Sequence, residues 1–86
     1  MKIKDGFVLR EIAGECVVVD VASNLKLDGL IKLNGTAQTL WVALQQEATE
    51  DDLVRALRSE YDVDEETARQ AALRFVAKLK EMNFLA

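Results

Sequence analysis

The protein has 86 residues, of which 50% are hydrophobic and 30% charged, and its formal net charge is −4. A chain of this length holds one domain, 1–86, with a modest core, which argues against a large enzyme with an internal substrate cavity. The single cysteine, Cys16, excludes an internal disulfide, and the lack of histidine argues against zinc sites and histidine-based acid–base catalysis. The sequence shows neither a signal peptide nor an apolar run of about 18 residues, so we expect a soluble, cytoplasmic protein.

The acidic residues are concentrated in the second half of the chain. Residues 34–86 carry ten acidic and six basic side chains, whereas residues 1–33 carry five of each. The window 47–66 alone has nine acidic and two basic residues, a net charge of −7. Since such a segment repels phosphate, it argues against a nucleic-acid-binding face there.

The first third of the chain is rich in β-branched residues that alternate with polar ones, which is typical of strands. Residues 7–12 and 15–20 flank the pair Ala13-Gly14, which predicts a hairpin with a two-residue turn. Residues 21–28 predict a loop, and residues 29–33 predict a third strand. Its alternation places Gly29, Ile31 and Leu33 on one face, and Leu30 and Lys32 on the other.

The rest of the sequence predicts three helices, each with its own start signal. Asn34, Thr49 and Asp64 are N-cap candidates, and Asp52 would complete a capping box with Thr49. The first helix is expected to end at about Gln46, and Asn83 is a candidate stop for the last one. The stripes expected in the core are Ala37, Leu40, Trp41 and Leu44; Leu53, Val54, Leu57 and Tyr61; and Ala68, Ala71, Ala72, Phe75, Leu79 and Met82. The order β-β-β-α-α-α predicts an α+β fold.

The last helix has a second, narrower stripe beside its core face. Leu73 and Val76 lie about a quarter turn off that face, next to Arg69 and Lys80. Either the apolar arc is wide and both residues pack on the sheet, or they line a groove for a partner. If the third strand is an edge beside this helix, an extended peptide could add to it as a strand. The predicted peptide-binding residues are then Gly29, Leu30, Ile31, Lys32, Leu33, Arg69, Leu73, Val76 and Lys80. Arg69 and Lys80, at the two ends of the groove, would favour an acidic peptide.

The sequence offers no pattern that would carry catalysis. The carboxylates fall at helix caps and on solvated faces, and the four scattered glycines form no phosphate-binding loop. Ser23, Ser59 and Cys16 have no histidine that could act as their base. We therefore expect a binding protein that is not an enzyme and holds no metal or organic cofactor.

Three segments of the sequence resemble PqqD-like proteins. They are residues 6–15 (GFVLREIAGE) followed by a valine-rich strand, residues 29–34 (GLIKLN) leading into Thr36-Ala37 and Trp41, and residues 61–68 (YDVDEETA). The resemblance extends from about residue 5 to residue 85, and the order and spacing of the segments make it more specific than any one of them. It implies a winged helix-turn-helix fold, with a three-stranded antiparallel sheet ahead of three helices.

The resemblance also implies a function. PqqD-like proteins are recognition elements for ribosomally made, post-translationally modified peptides. They bind the leader of the precursor peptide as a fourth strand against the third strand, beside the third helix. They then present the precursor to a modifying enzyme such as a radical SAM protein or a leader peptidase. On this basis we expect a monomer that contacts neither nucleic acid nor membrane.

One departure narrows the expected role within this family. The run Val17-Val18-Val19-Asp20-Val21 stands where members of the pyrroloquinoline quinone pathway have leucines leading to Pro-Glu, and the chain contains no proline. The resemblance therefore implies a stand-alone recognition protein of a lasso-peptide, sactipeptide or similar cluster, rather than the quinone-pathway protein itself.

Two other functions remain open from the sequence. A winged-helix DNA-binding regulator is the main alternative, because the second and third helices are spaced as in a helix-turn-helix. Against it, Arg74 and Lys78 lie across the last helix from Arg69 and Lys80, so no continuous basic stripe forms. The other alternative is an interaction domain that regulates an enzyme without contacting a peptide substrate.

Overall fold

The computed structural model describes residues 1–20 and 31–86. Three strands, β1 (Phe7–Ile12), β2 (Glu15–Asp20) and β3 (Ile31–Leu33), precede three helices, α1 (Gly35–Ala43), α2 (Glu50–Glu60) and α3 (Glu65–Glu81). This order confirms the predicted α+β fold. The loop expected over residues 21–28, and Gly29 and Leu30 of the expected third strand, lie outside the described residues.

The three strands form one antiparallel sheet in the order β1-β2-β3. The predicted hairpin is confirmed, with Ile12 opposite Glu15 across its two-residue turn. Ala13 and Gly14 both have positive φ, 54° and 81°. That combination fits a type I′ turn, whose twist matches the twist of the strands it joins. Only Gly14 adopts it without a Cβ penalty.

All three predicted N-caps are confirmed, so each helix begins where its sequence indicates. The side chains of Asn34, Thr49 and Asp64 accept hydrogen bonds from backbone N–H groups three residues on, at 2.9–3.1 Å. The Asp52 carboxylate in turn accepts from the Thr49 N–H at 2.8 Å, which completes the capping box. At the other end of α3, Asn83 has φ of 63°, a left-handed conformation typical of a helix stop.

One core joins the sheet to all three helices. The predicted stripes supply most of it, and their innermost members are no more than 2% exposed: Leu40, Trp41, Leu44, Leu53, Leu57, Ala68, Ala72 and Leu79. Ala37, Tyr61, Ala71 and Met82 pack against this core but are only partly buried. Phe84 also belongs to this core, and its ring stacks on that of Phe7 with the ring centroids 4.2 Å apart.

The N-terminal segment accounts for the early end of α1. The helix ends at Ala43 rather than near Gln46. The Leu44 carbonyl accepts a hydrogen bond from the Ile3 N–H at 3.0 Å, and the Met1 carbonyl accepts from the Ala48 N–H at 2.8 Å. Because these bonds draw residues 44–48 toward the N-terminal segment, the helix does not continue through them. None of the described helices is long and apolar enough to cross a membrane.

Candidate functional site

Within the described part of the sheet, β3 is an edge strand. It pairs with β2 through Leu33 opposite Cys16 and Lys32 opposite Val17, and no described strand lies on its other side. In such a strand, alternate residues direct their N–H and C=O groups away from the paired neighbour. The Leu33 carbonyl accepts a hydrogen bond from the Gln38 side-chain amide at 3.1 Å, so α1 covers the end of this edge.

A cleft of about 250 Å³ lies between β3, the beginning of α1 and one flank of α3. Its apolar lining consists of Leu33, Ala37, Leu40, Ala71 and Phe75, which form its floor. Its remaining lining is polar or basic: Lys32, Asn34, Thr36, Arg74 and Lys78. A cleft with a cationic rim and an apolar floor therefore lies between the third strand and the third helix, where the sequence predicted a groove.

The four α3 residues predicted for the groove do not line this cleft. Val76 is 5% exposed and belongs to the core, so its expected position off the core face is wrong. Leu73 is off the core face as expected, at 46% exposed, but is absent from the cleft wall. Lys80 lines a different hollow, together with Met1, Asn83, Leu85 and Ala86. Val76 therefore packs in the core and not in a groove, whereas Leu73 neither lines the cleft nor is buried, so the alternative that both residues pack on the sheet is not confirmed either.

Arg69 connects α3 to the beginning of α2. Its guanidinium forms ion pairs with Glu50 and, at 3.0 Å, with Asp51, and it lies 3.9 Å from Glu65 one turn earlier in α3. Hydrogen bonds from the guanidinium to Glu50 and Asp51 raise the pKa of Arg69. These contacts direct Arg69 toward α2, away from the cleft. Its charge is also balanced locally, so it adds little to the field over β3.

A helical projection explains why the α3 residues that line the cleft differ from the predicted ones. Successive residues are about 100° apart, so Val76 and Arg74 lie on opposite sides of Phe75. The flank with Arg69 meets α2 through Glu50 and Asp51, and the flank with Arg74 and Lys78 lines the cleft beside β3. Periodicity finds the centre of an apolar arc, but the tertiary packing decides which flank of it meets the sheet.

The residues that sequence reasoning missed had a signal of their own. Positions 67–80 contain four basic residues and no acidic one. Within them, Ala71 and Phe75 form one row at helical spacing, and Arg74 and Lys78 form the next row. The sequence therefore contains both rows of the cleft flank, but Arg69 and Lys80 form a similar pair on the other flank, so the pattern alone does not show which flank meets β3.

A second, more open cleft of about 530 Å³ lies between α1 and α2. Its lining includes Val42, which at 62% is the most exposed large apolar residue in the described part of the chain, and one charged residue, Glu60. It is larger than the β3–α3 cleft but lacks a strand edge. It therefore offers no row of backbone groups to an extended ligand.

Nothing in the described residues groups three side chains that could hold a metal ion. The carboxylates whose pKa departs from the ordinary value are helix caps. Hydrogen bonds from Thr49 lower the pKa of Asp52, and hydrogen bonds from Thr67 lower the pKa of Asp64. Both perturbations are accounted for by helix capping, and neither group lines the β3–α3 cleft.

Together these features define a small α+β domain in which a strand edge without a described partner strand lies beside a helix, the geometry that strand-addition binding uses. The chain belongs to the family described as coenzyme PQQ synthesis protein D (PqqD), whose sequence model matches residues 15–85. Among solved structures it is similar to "TbiB1 in Complex with the TbiA(beta) Leader Peptide". The identity is 26% and the TM-score 0.74, over 99% of this chain and 94% of that one. No curated protein matched the sequence. The resemblance inferred from the sequence is thus confirmed.

Proposed function

We propose that this protein binds the leader segment of a ribosomally made precursor peptide as a strand added to β3. The observation that carries this proposal is the edge of β3 beside the β3–α3 cleft, which no described strand pairs with. Membership of the PqqD family and the likeness to a protein solved with its leader peptide support it. The protein would act without catalysis of its own, in the cytoplasm where the precursor is made, and would present the precursor to a separate modifying enzyme.

The energetics require side-chain contacts as well as strand pairing. The described part of β3 has three residues and the Leu33 carbonyl is already bonded to Gln38, so β3 offers roughly two or three hydrogen bonds to an added strand. At about 1 kcal/mol net for each bond, they contribute about 2–3 kcal/mol. Association costs at least about 4 kcal/mol in lost freedom of motion. Affinity must therefore come largely from peptide side chains that pack on Ala71 and Phe75 in the cleft.

We also propose that the α3 wall of the binding groove is the flank with Ala71, Arg74, Phe75 and Lys78. This replaces the flank with Arg69, Leu73, Val76 and Lys80 that the sequence suggested. The burial of Val76 and the ion pairs of Arg69 support the replacement. On β3 the proposal keeps Ile31, Lys32 and Leu33, and it extends to Gly29 and Leu30 as sequence neighbours.

The charge distribution disfavours the DNA-binding alternative. In a helix-turn-helix, the N-terminal residues of the second helix contact the bases. The corresponding end of α3 begins with Asp64, Glu65 and Glu66, all exposed. Those carboxylates would approach the phosphates of DNA, and Arg69 nearby already has acidic partners.

A direct binding comparison tests the proposal. Fluorescently labelled leader segments, synthesised from the precursor genes that neighbour the gene for this protein, would be titrated alongside labelled duplex DNA at low and high salt. We expect saturable binding of one leader, with modest weakening by salt, and no saturable binding of DNA. Saturable DNA binding with a steep salt dependence, and no binding of any leader, would contradict the proposal.

A further inference from the structure

The cations of the described helices differ in whether they have acidic partners. Arg55, Arg58 and Arg69 each form an ion pair with a carboxylate. Arg74 and Lys78, on the cleft flank of α3, form none with any described carboxylate. The sequence provides no close helical partner for Arg74, because positions 67–80 contain no acidic residue. Among the described residues, the rim of the cleft thus carries two cations without an ion pair, on a protein whose net charge is −4.

The beginning of α1 adds to this local positive potential, and Lys32 adds less. Lys32 lines the cleft from the β3 side, but its ammonium lies 3.1 Å from Glu15 and its charge is therefore partly balanced. The beginning of α1 reaches the cleft through Asn34 and Thr36. That helix has no acidic residue in its first turn, whereas α2 has three and α3 has two. Its positive dipole end is therefore not neutralised by its own side chains.

The apolar floor and the basic rim run side by side along α3. Ala71 and Phe75 are one turn apart, and Arg74 and Lys78 are likewise one turn apart, a rise of about 6 Å. Alternate side chains of an extended strand point to the same face and are about 6.6 Å apart. In an added strand that runs along α3, successive side chains on one face therefore have nearly the same spacing as the residues of these two rows. One can pack on Phe75 while its neighbour on that face reaches a cation.

We propose that the cleft selects peptides with an aspartate or glutamate two positions from a large apolar residue. This inference rests on the proposed function and specifies its substrate class. The apolar side chain packs on the floor at Ala71 and Phe75, and the carboxylate lies between Arg74 and Lys78. Because the protein as a whole is acidic, a preference for acidic peptides must arise from this local field.

A peptide-display selection on the purified protein tests the inference without knowledge of the natural leader. The probe is a library of random peptides about a dozen residues long, enough to cover a strand of ordinary length. We expect Asp or Glu to be enriched at one position, two residues from an enriched apolar position. Replacing that acidic residue by its amide in a selected peptide should weaken binding about 2–5-fold at low salt, and less at high salt.

Charge reversal at the cleft provides the decisive comparison. The variant Arg74→Glu with Lys78→Glu should select peptides with Lys or Arg at the same position. The matched control is Lys2→Glu with Arg10→Glu, two exposed cations that do not line the cleft. Each pair of substitutions changes the charge by −4, so both variants have a net charge of −8. The control should still select acidic peptides.

The outcomes separate this inference from the function on which it rests. If the parent protein enriches no peptide, the proposed function fails. If it enriches peptides without an acidic preference, only the present inference fails. An equal loss of acidic preference in the cleft variant and the control would also refute it, because the preference would then follow net charge. Should the reversed variant unfold, the neutral pair Arg74→Gln and Lys78→Gln is used instead, and it should lose the preference without inverting it.

Discussion

Leu73 and Val76 are three positions apart in α3 but differ in burial, and substitutions at them test which flank of this helix packs in the core. Val76 is 5% exposed and Leu73 is 46% exposed. Truncating Val76 to alanine removes two methyl groups from the core, worth about 0.8 kcal/mol each before the cavity is counted. Alanine's better helix propensity returns about 0.5 kcal/mol. We expect Val76→Ala to lower the free energy of unfolding by about 1–2 kcal/mol.

Leu73→Ala is the matched control on the same helix. Its side chain is half in solvent, so we expect a change within about 0.5 kcal/mol. Urea unfolding followed by circular dichroism gives both values, and thermal melting should place Val76→Ala roughly 5–15 °C below the parent. Equal stability of the two variants would refute the flank assignment. So would a Val76→Ala protein that keeps full stability but loses peptide binding.

Two predictions concern the hairpin and the helix caps. Ala13 has a left-handed φ of 54°, so Ala13→Asn should raise the stability by about 0.5–1 kcal/mol in urea unfolding, because asparagine tolerates that conformation better; a lower stability would contradict the turn geometry. Asp52 and Asp64 have pKa values below the ordinary 3.8 in the folded protein, so their stabilising effect is complete above that pH and is lost as the pH falls below it. The double variant Asp52→Asn, Asp64→Asn should be less stable at neutral pH and should show a shallower loss of melting temperature in acid; an unchanged acid profile would contradict this.

The features that the sequence predicted well are set by neighbouring residues. The two-residue turn at Ala13-Gly14, the caps at Asn34, Thr49 and Asp64, and the stop at Asn83 each depend on contacts within a few residues. Such features need only local backbone geometry and a hydrogen-bonding side chain. The core stripes follow from the helical period in the same way.

The features that were mispredicted depend on residues far apart in the chain. Arg69 meets Glu50 and Asp51, which lie 19 and 18 positions earlier, and this pairing fixes the direction of its flank. Likewise, the Ile3 N–H bonds to the Leu44 carbonyl and shortens α1. A period of 3.6 residues cannot choose between the two flanks of α3. The choice emerges only when α2 packs on one side of α3 and β3 lies across the cleft on the other.

We expect a bound leader peptide to lie along β3 with its side chains on the flank of α3 that bears Ala71 and Phe75. Intermolecular NOEs between the bound peptide and isotopically labelled protein measure this position. They should show backbone contacts to residues 31–33 and side-chain contacts to the Ala71 methyl group and the Phe75 ring. Contacts to the methyl groups of Leu73 instead, or to the β1–β2 hairpin or α2, would contradict it.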